Sequence, residues 1–145
     1  MIASNESTAL AVAVVPGQSH DAPHLKPLLK QTVARLKPSE QAEPQANPVD
    51  QVVGDKAFGG TPQREACDEL GVELVVPPKS NAVDPVPLDK AAYRERNRIE
   101  RLFAKLKEFR RVATRYEKLK ETFLGLIQLV LGFIRLRSIN NVNRA

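Results

Sequence analysis

The sequence predicts an α/β fold: a mixed sheet with helices packed on it and a helical C-terminus. Three observations carry this. Short runs of β-branched and small apolar residues at 9–15 and 72–76 are closed by Pro16-Gly17 and Pro77-Pro78. Leucines at helical spacing lie between them, and two long helical stretches end the chain. The resulting order β-α-β-α-β-α-α belongs to sheets covered by helices.

Taken in order, residues 9–15 do not alternate in polarity, which suits a strand buried on both faces. Residues 20–37 read as a helix, with Leu25, Leu28, Leu29, Val33 and Leu36 on one stripe. Pro23 sits near its start and Pro38 just past its end, where proline is tolerated. Residues 38–48, with Pro38, Pro44 and Pro48 among Glu, Gln and Ala, read as an exposed loop. Residues 49–54 form a short strand that delivers Asp55 at its C-terminal end. Thr61 is the expected cap of the next helix, with Pro62 in its first turn and Gly71 as its stop. After the strand at 72–76, residues 79–89 hold further turn formers and read as a loop. Helices are expected over 90–110 and 117–137.

The chain has 145 residues, enough for about one domain. The single Cys67 excludes a disulfide framework and a multi-cysteine zinc site, and fits a reducing cytosol. The first residues lack the basic segment of a secretory signal. The longest apolar run, 123–134, falls short of the about 20 residues of a membrane span and reads as a buried core helix, so no membrane partner is expected. Charge is segregated. Residues 1–89 hold seven Lys/Arg against twelve Asp/Glu, whereas residues 90–145 hold fifteen against five. A C-terminal third this basic fits a polyanionic partner, or a merely solvated cationic surface.

Two acids stand where chemistry is expected. Asp55 follows Val52-Val53-Gly54 and would emerge at the carboxyl edge of the sheet, where ligands bind in open α/β folds. A turn or cap aspartate has the same local pattern. Glu100 lies on the basic helix with Tyr93, Arg96 and Lys107, all within about 60° of arc if residues 90–110 form one helix. Ile99, Leu102, Phe103 and Leu106 form the adjoining apolar stripe, which would set Glu100 at its edge. An ordinary i,i+4 ion pair, Arg96 with Glu100, accounts for the same spacing. Carboxylate oxygens of this kind are the hard ligands Mg²⁺ prefers.

The pattern from Tyr93 through Arg96 and Glu100 to Lys107 resembles the signature around the third acidic residue of DDE-type insertion-sequence transposases of the family-four and family-five type. Gly54-Asp55-Lys56-Ala57-Phe58 resembles the segment around their second acidic residue. Val75-Val76-Pro77-Pro78-Lys79-Ser80-Asn81, Phe109-Arg110-Arg111-Val112 and Pro16-Gly17-Gln18-Ser19-His20-Asp21 resemble further stretches of the same proteins, in the same order. The resemblance covers nearly the whole chain.

It implies a partial RNase H-like catalytic domain over residues 1–137, with a flexible tail at 138–145. In that core, three carboxylates hold two Mg²⁺ ions, with Mn²⁺ as substitute, for an in-line phosphoryl displacement. Asp55 would be the second ligand and Glu100 the third. Tyr93, Arg96, Lys107, Arg110 and Arg111 would contact DNA, the transposon ends and the target. The chain itself or a full-length transposase would be a further partner, in the bacterial cytoplasm at the nucleoid. The place of the first acidic ligand falls near Ser4-Asn5, with Glu6 the only acid upstream of Asp21. The strand that carries it is therefore missing or degenerate, which points to the C-terminal part of a split or shifted frame, to a mis-started frame, or to a decayed copy, inactive alone. The alternative is a non-catalytic DNA-binding remnant that competes with or complements a full transposase; a cationic helical module without DNA leaves the Asp55 and Glu100 segments unexplained. His20 and His24 lack the partners of a zinc site, Cys67 reads as a small core residue, and Lys79 and Asn81 as loop residues.

Overall fold

The computed structural model describes residues 1–36, 47–78 and 86–142. The chain divides into two compact units, Met1–Ser19 with Asn97–Ala145, and His20–Arg96.

The first unit begins with a hairpin. Strands β1 (Ile2–Asn5) and β2 (Thr8–Ala11) pair antiparallel, with Ile2 opposite Ala11 and Asn5 opposite Thr8. The sequence suggests a single buried strand over 9–15; instead the strand stops at Ala11 and a strand precedes it. A side chain closes the turn: Asn5 Oδ1 accepts from both the backbone N–H and the hydroxyl of Ser7, each at 2.9 Å. This is the local bonding that makes asparagine a turn residue.

Helices α4 (Asn97–Lys107), α5 (Arg110–Ala113) and α6 (Lys120–Val142) complete the unit. Leu102 and Leu106 of α4 meet Val130, Leu131 and Ile134 of α6 in a core that also takes Ala3 and Ala9 of the hairpin. Phe109 closes one end, edge-on to Phe133 at 5.9 Å between ring centroids. Full burial of each leucine is worth about 1.5–3 kcal/mol relative to exposure. Helix α6 starts three residues later than expected and runs on to Val142, taking in residues 138–142 that the sequence suggests as tail. By length and composition alone, Lys120–Asn141 could cross a membrane, contrary to the expectation from the apolar run at 123–134, which Gln128 interrupts, yet one of its faces is core.

In the second unit, α1 (Leu25–Leu36) follows a 3-10 turn, Ala22–His24, rather than extending back to residue 20. Pro23 lies in that turn, where its missing N–H costs nothing. Leu25 and Leu29 are buried; Leu36 is exposed. Strands β3 (Gln51–Val53) and β4 (Glu73–Val75) pair parallel, joined by α2 (Thr61–Asp68), so this unit contains one compact β-α-β crossover. The cap of α2 is Gly60, and Thr61 is its first residue, with no side-chain cap bond. Gly71 takes φ +63°, which explains a glycine at the exit of α2. Ala66, Cys67, Val72, Val75 and Val76 are buried with Leu25 and Leu29. Most of the loop expected at 38–48 lies outside the described residues. At its end, Asn47 donates to the carbonyl of Leu70 and its Oδ1 accepts from Val49 N–H at 3.1 Å. Lys79 and Asn81 also lie outside the described residues.

The helix expected over 90–110 is not continuous. It divides into α3 (Lys90–Arg94), in the second unit, and α4, in the first. Between them the backbone tightens: Glu95 N–H donates to Ala92 O and Arg96 N–H to Tyr93 O, each three residues back. Asn97, whose short amide competes with the helical ladder, opens the next helix. A second break follows α4, where Phe109 caps α5. Apolar periodicity survives both breaks because periodicity reports burial, not continuity.

Candidate functional site

Asp55 is positioned by the parallel pair. Val53 lies opposite Val75, and Gly54 N–H donates to Val75 O at 3.0 Å, extending the ladder one residue past β3. A side chain at Gly54 would crowd Phe58 and Val76, each 3.3 Å from a Cβ placed there. The chain then turns into the 3-10 segment Lys56–Phe58, capped by Asp55, whose Oδ1 accepts from Ala57 N–H at 2.8 Å. The residue is exposed. Asp55 therefore does both things its sequence context allows: it leaves the carboxyl end of a strand, and it caps a turn. The cap bond fixes the carboxylate's orientation and leaves Oδ2 as a possible ligand atom.

Glu100 lies in the first turn of α4 and is exposed, not tucked at the edge of a buried stripe. Of that stripe, Leu102 and Leu106 are buried, Ile99 is half-buried, and Phe103 is 43% exposed. Lys107, seven residues on, falls on the face of α4 that carries Glu100 and is also exposed. Tyr93 and Arg96 are not on that helix. They stand on α3 and in the tight turn after it, where the Arg96 guanidinium lies 5.7 Å from the centre of the Tyr93 ring. The expected single face of Tyr93, Arg96, Glu100 and Lys107 is thus split by the break at Glu95-Arg96. Asp55 belongs to the second unit and Glu100 to the first.

Arg110 is exposed on α5. Arg111 is engaged. Its guanidinium donates to Glu117 Oε1 from Nε at 2.8 Å and also from Nη2, and it lies 4.5 Å from the centre of the Tyr116 ring. The pairing holds the Glu117 carboxyl below its usual range. Between these partners, Arg115 adopts a left-handed backbone, φ 48°. Arg111 thus clamps the α5–α6 turn, whatever else its remaining donor contacts.

Glu6 lies upstream of the run at 9–15 that reads as the first strand. It does not precede the first strand but follows β1, at that strand's carboxyl end, in the hairpin turn. Helix α4 packs along β1, and Lys105 Nζ donates to the Glu6 carbonyl at 2.9 Å. The Glu6 carboxyl is held below its usual range, first by its own backbone N–H and then by the charges of Lys105, Arg101 and Arg98. The signal was present: two short apolar runs flank Asn5-Glu6-Ser7, a turn-forming triplet. Ser4 and Asn5, at the place of the expected first ligand, lie on β1.

Among the described residues, no three His, Cys, Asp or Glu side chains are grouped so that they could hold a metal ion. The donor chemistry of Asp55 and Glu100, two exposed carboxylates, fits a hard cation that keeps several of its own waters.

Residues 52–137 match the transposase DDE domain family, and the chain belongs to that family. The match includes both Asp55 and Glu100. A relative in Brucella ovis, named for the transposase of insertion sequence element IS6501, is 38% identical over 65 residues, covering 45% of this chain and 48% of the relative. The chain thus matches about half the length of that curated relative. No solved structure matches.

Proposed function

We propose that this chain contributes to DNA transposition as part of an insertion-sequence transposase, with Asp55 and Glu100 as the second and third carboxylates of its metal site. The observation that carries this reading is the DDE-domain match across 52–137, in which Asp55 leaves the carboxyl end of β3. The fold we assign it is a partial RNase H-like core. Asp55, oriented by Ala57 N–H, and Glu100 would hold Mg²⁺, or Mn²⁺ in its place. The bound ions would stabilise charge on the attacking and leaving oxygens of the phosphoryl transfer. Arg96 would clamp a phosphate through its planar fork while Lys107 acts as a point charge, with Tyr93 and Arg110 adding DNA contacts. Arg111 would contribute less than Arg110, because two of its nitrogens already serve Glu117. The partners are transposon-end and target DNA, together with a full-length transposase or another copy; the setting is the bacterial cytoplasm at the nucleoid, with no membrane.

A second reading, a non-catalytic DNA-binding remnant, is favoured by one observation. The expected first-ligand place holds Ser4 and Asn5, and the Asn5 side chain is committed to closing the hairpin through Ser7. One experiment separates the two. The purified chain, incubated with supercoiled plasmid and Mg²⁺ or Mn²⁺, should not nick DNA. A carboxylate introduced by Ser4→Asp or Asn5→Asp should bring nicking that Glu100→Gln abolishes. Nicking by the unaltered chain, lost in Glu100→Gln, would overturn the reading of an incomplete site. No nicking by any carboxylate-restored form would favour the remnant.

A further inference from the structure

Helix α4 carries cations on both sides of its core stripe, and the site proposed above uses only one. At about 100° per residue from Arg98, the buried Leu102 and Leu106 lie at about 40° and 80°. Glu100 and Lys107 lie at about 200° and 180°, on one side of that stripe, whereas Arg98, Arg101 and Lys105 share about 60° of arc on the other. Arg98 and Arg101 are exposed and Lys105 is half-buried. From Arg98 to Lys105 this strip is about 10 Å long, roughly three base steps along one nucleic-acid strand.

An acid from the other end of the chain is set beside this strip. Helix α4 packs on β1, and Lys105 Nζ donates to the Glu6 carbonyl at 2.9 Å across 99 residues of sequence, which fixes the hairpin turn against the strip. Glu6 is half-buried there. Its carboxyl is held below the usual range first by its own backbone N–H and then by the charges of Lys105, Arg101 and Arg98, so all three cations of the strip act on this one acid. Glu108, exposed just past the end of α4, falls at about 280° and borders the strip at its other end. A carboxylate offers these cations the same kind of charged oxygen acceptor as a phosphate.

We propose that Arg98, Arg101 and Lys105 form a second binding strip for nucleic-acid phosphates on α4, and that Glu6 is its built-in mask, standing beside the cations in place of a phosphate. The mask restrains binding to arbitrary DNA: a duplex is held through Lys107 and Arg110, and it engages the strip only by competing with Glu6. A merely solvated cationic flank gives no reason for a hairpin turn to be bonded against it with an acid at its tip. The inference rests on the reading of DNA as the partner of this chain, and not on the metal site.

Fluorescence anisotropy of the full chain with a short duplex of arbitrary sequence tests it. Glu121→Gln, an exposed acid at the start of α6, controls for the change in net charge. Glu6→Gln should tighten binding about fivefold or more and steepen the slope of log affinity against log salt by about 0.9 for each phosphate newly engaged, while Glu121→Gln changes affinity by less than about twofold. Circular dichroism should be unchanged, because glutamine keeps a side-chain oxygen for the backbone N–H. With Arg98→Ala and Arg101→Ala together, the gain from Glu6→Gln should fall to that of the control, the coupling expected of groups that share one site. A gain no larger than the control, or one that persists in full without Arg98 and Arg101, would overturn the proposal. Duplex binding that depends on Lys107 and Arg110 but not on Glu6 would sink this inference alone. No binding by either the parent or Glu6→Gln would sink the DNA reading, and the mask with it.

Discussion

The two units solve the folding problem with different means. The second unit, His20–Arg96, is built mainly from neighbours in sequence: β3, α2 and β4 follow one another and close a parallel pair. The first unit joins the beginning of the chain to its end, setting the hairpin β1–β2 against α4 and α6. Charge follows the same division. The first unit carries twelve Lys/Arg against five Asp/Glu, and the second ten against twelve. So Asp55 is displayed by a slightly acidic unit that fixes it through a strand end and a cap bond. Glu100 is displayed by a strongly basic unit, on a helix face that also carries Lys107. The difference teaches that the same residue chemistry can be held by backbone geometry in one place and by helix presentation in another, and that only the first is rigid by construction.

The largest expected effect concerns the cores. Leu102 is fully buried at the meeting of α4 and α6, so Leu102→Ala should lower the free energy of unfolding by about 2–5 kcal/mol, while Leu102→Met should cost less than about 1.5 kcal/mol. Urea denaturation followed by circular dichroism measures both. Leu29 is fully buried as well, but it lies on α1, which packs on the short α2 with its small buried residues Ala66 and Cys67. Leu29→Ala should therefore cost less. An equal or larger loss at Leu29 would erase the distinction between a long-range core and a local one.

The next effect concerns charge. If Arg96 and the cations of the first unit carry the DNA contacts, neutralising about four phosphates would weaken duplex binding about 100-fold between 50 and 200 mM salt. Fluorescence anisotropy with a short duplex of arbitrary sequence reads this directly. Lys107→Ala and Arg110→Ala should lower the slope of log affinity against log salt by about one contact each, and Lys30→Ala in the second unit should not change it. A flat salt dependence, or an equal contribution from Lys30, would break the assignment of DNA contacts to Arg96, Lys107 and Arg110.

Both comparisons rest on features that the sequence shows unevenly. The strand that delivers Asp55, the crossover helix and the strand at 73–75 are readable because a local β-α-β unit carries its signals in order: a β-branched run, a first-turn proline, a glycine exit. The opening hairpin is legible only in part: Asn5-Glu6-Ser7 marks a turn, but Ile2–Asn5 is only four residues long, and α4, which packs along it, lies about ninety residues away. Periodicity cannot see such a pairing. The helix across Tyr93, Arg96, Glu100 and Lys107 misled in the opposite direction: its charges and apolar residues keep helical spacing through Glu95-Arg96, while the backbone bonds there shorten to three residues and the units part. The apolar run in α6 was legible as a core helix on one side only, since nothing in a sequence of all-round apolar residues says which face the fold will cover.

The two acids themselves give a smaller and sharper contrast. Asp55 is a cap, so Asp55→Ala should cost about 1 kcal/mol of stability through the lost bond to Ala57 N–H, whereas Asp55→Asn keeps an acceptor and should cost a few tenths at most. Glu100 sits in the first turn of an exposed helix face, where its charge interacts with the helix dipole by about 0.3–1 kcal/mol. Glu100→Gln should therefore be folded and close to the parent in thermal stability. If both Asp55→Asn and Glu100→Gln keep the fold but lose Mn²⁺ binding in a water-proton relaxation titration, the metal reading gains support separate from cleavage. Unchanged Mn²⁺ binding in both would remove these carboxylates from the metal site.

The smallest effect compares like with like, one surface ion pair in each unit. Lys26 Nζ lies 2.7 Å from Glu69 Oε2 in the second unit, and Arg111 grips Glu117 in the first. Both glutamates are held below the ordinary carboxyl value of 4.5, Glu69 chiefly by its hydrogen bond from Lys26 and Glu117 by that from Arg111. The sign follows. A carboxyl whose folded value is depressed adds stability at pH above its unfolded value, and that contribution disappears as the pH falls through the folded value. Both pairs should thus weaken in acid, below about pH 4.5, and be indifferent between pH 6 and 8. They should not weaken equally. The Glu117 side chain is 8% exposed and its Oε2 is buried without a hydrogen-bond partner, while Glu69 is 56% exposed and open to screening by water and salt. Protonating Glu117 also loosens the clamp over the left-handed turn at Arg115. Comparing Glu117→Gln with Glu69→Gln by thermal melts at pH 7 and again near pH 4 should show the larger loss at pH 7 for Glu117, nearly gone in acid. Equal losses for the two, or a Glu117→Gln effect that persists undiminished at low pH, would mean that the Arg111 clamp holds its turn by shape rather than by charge.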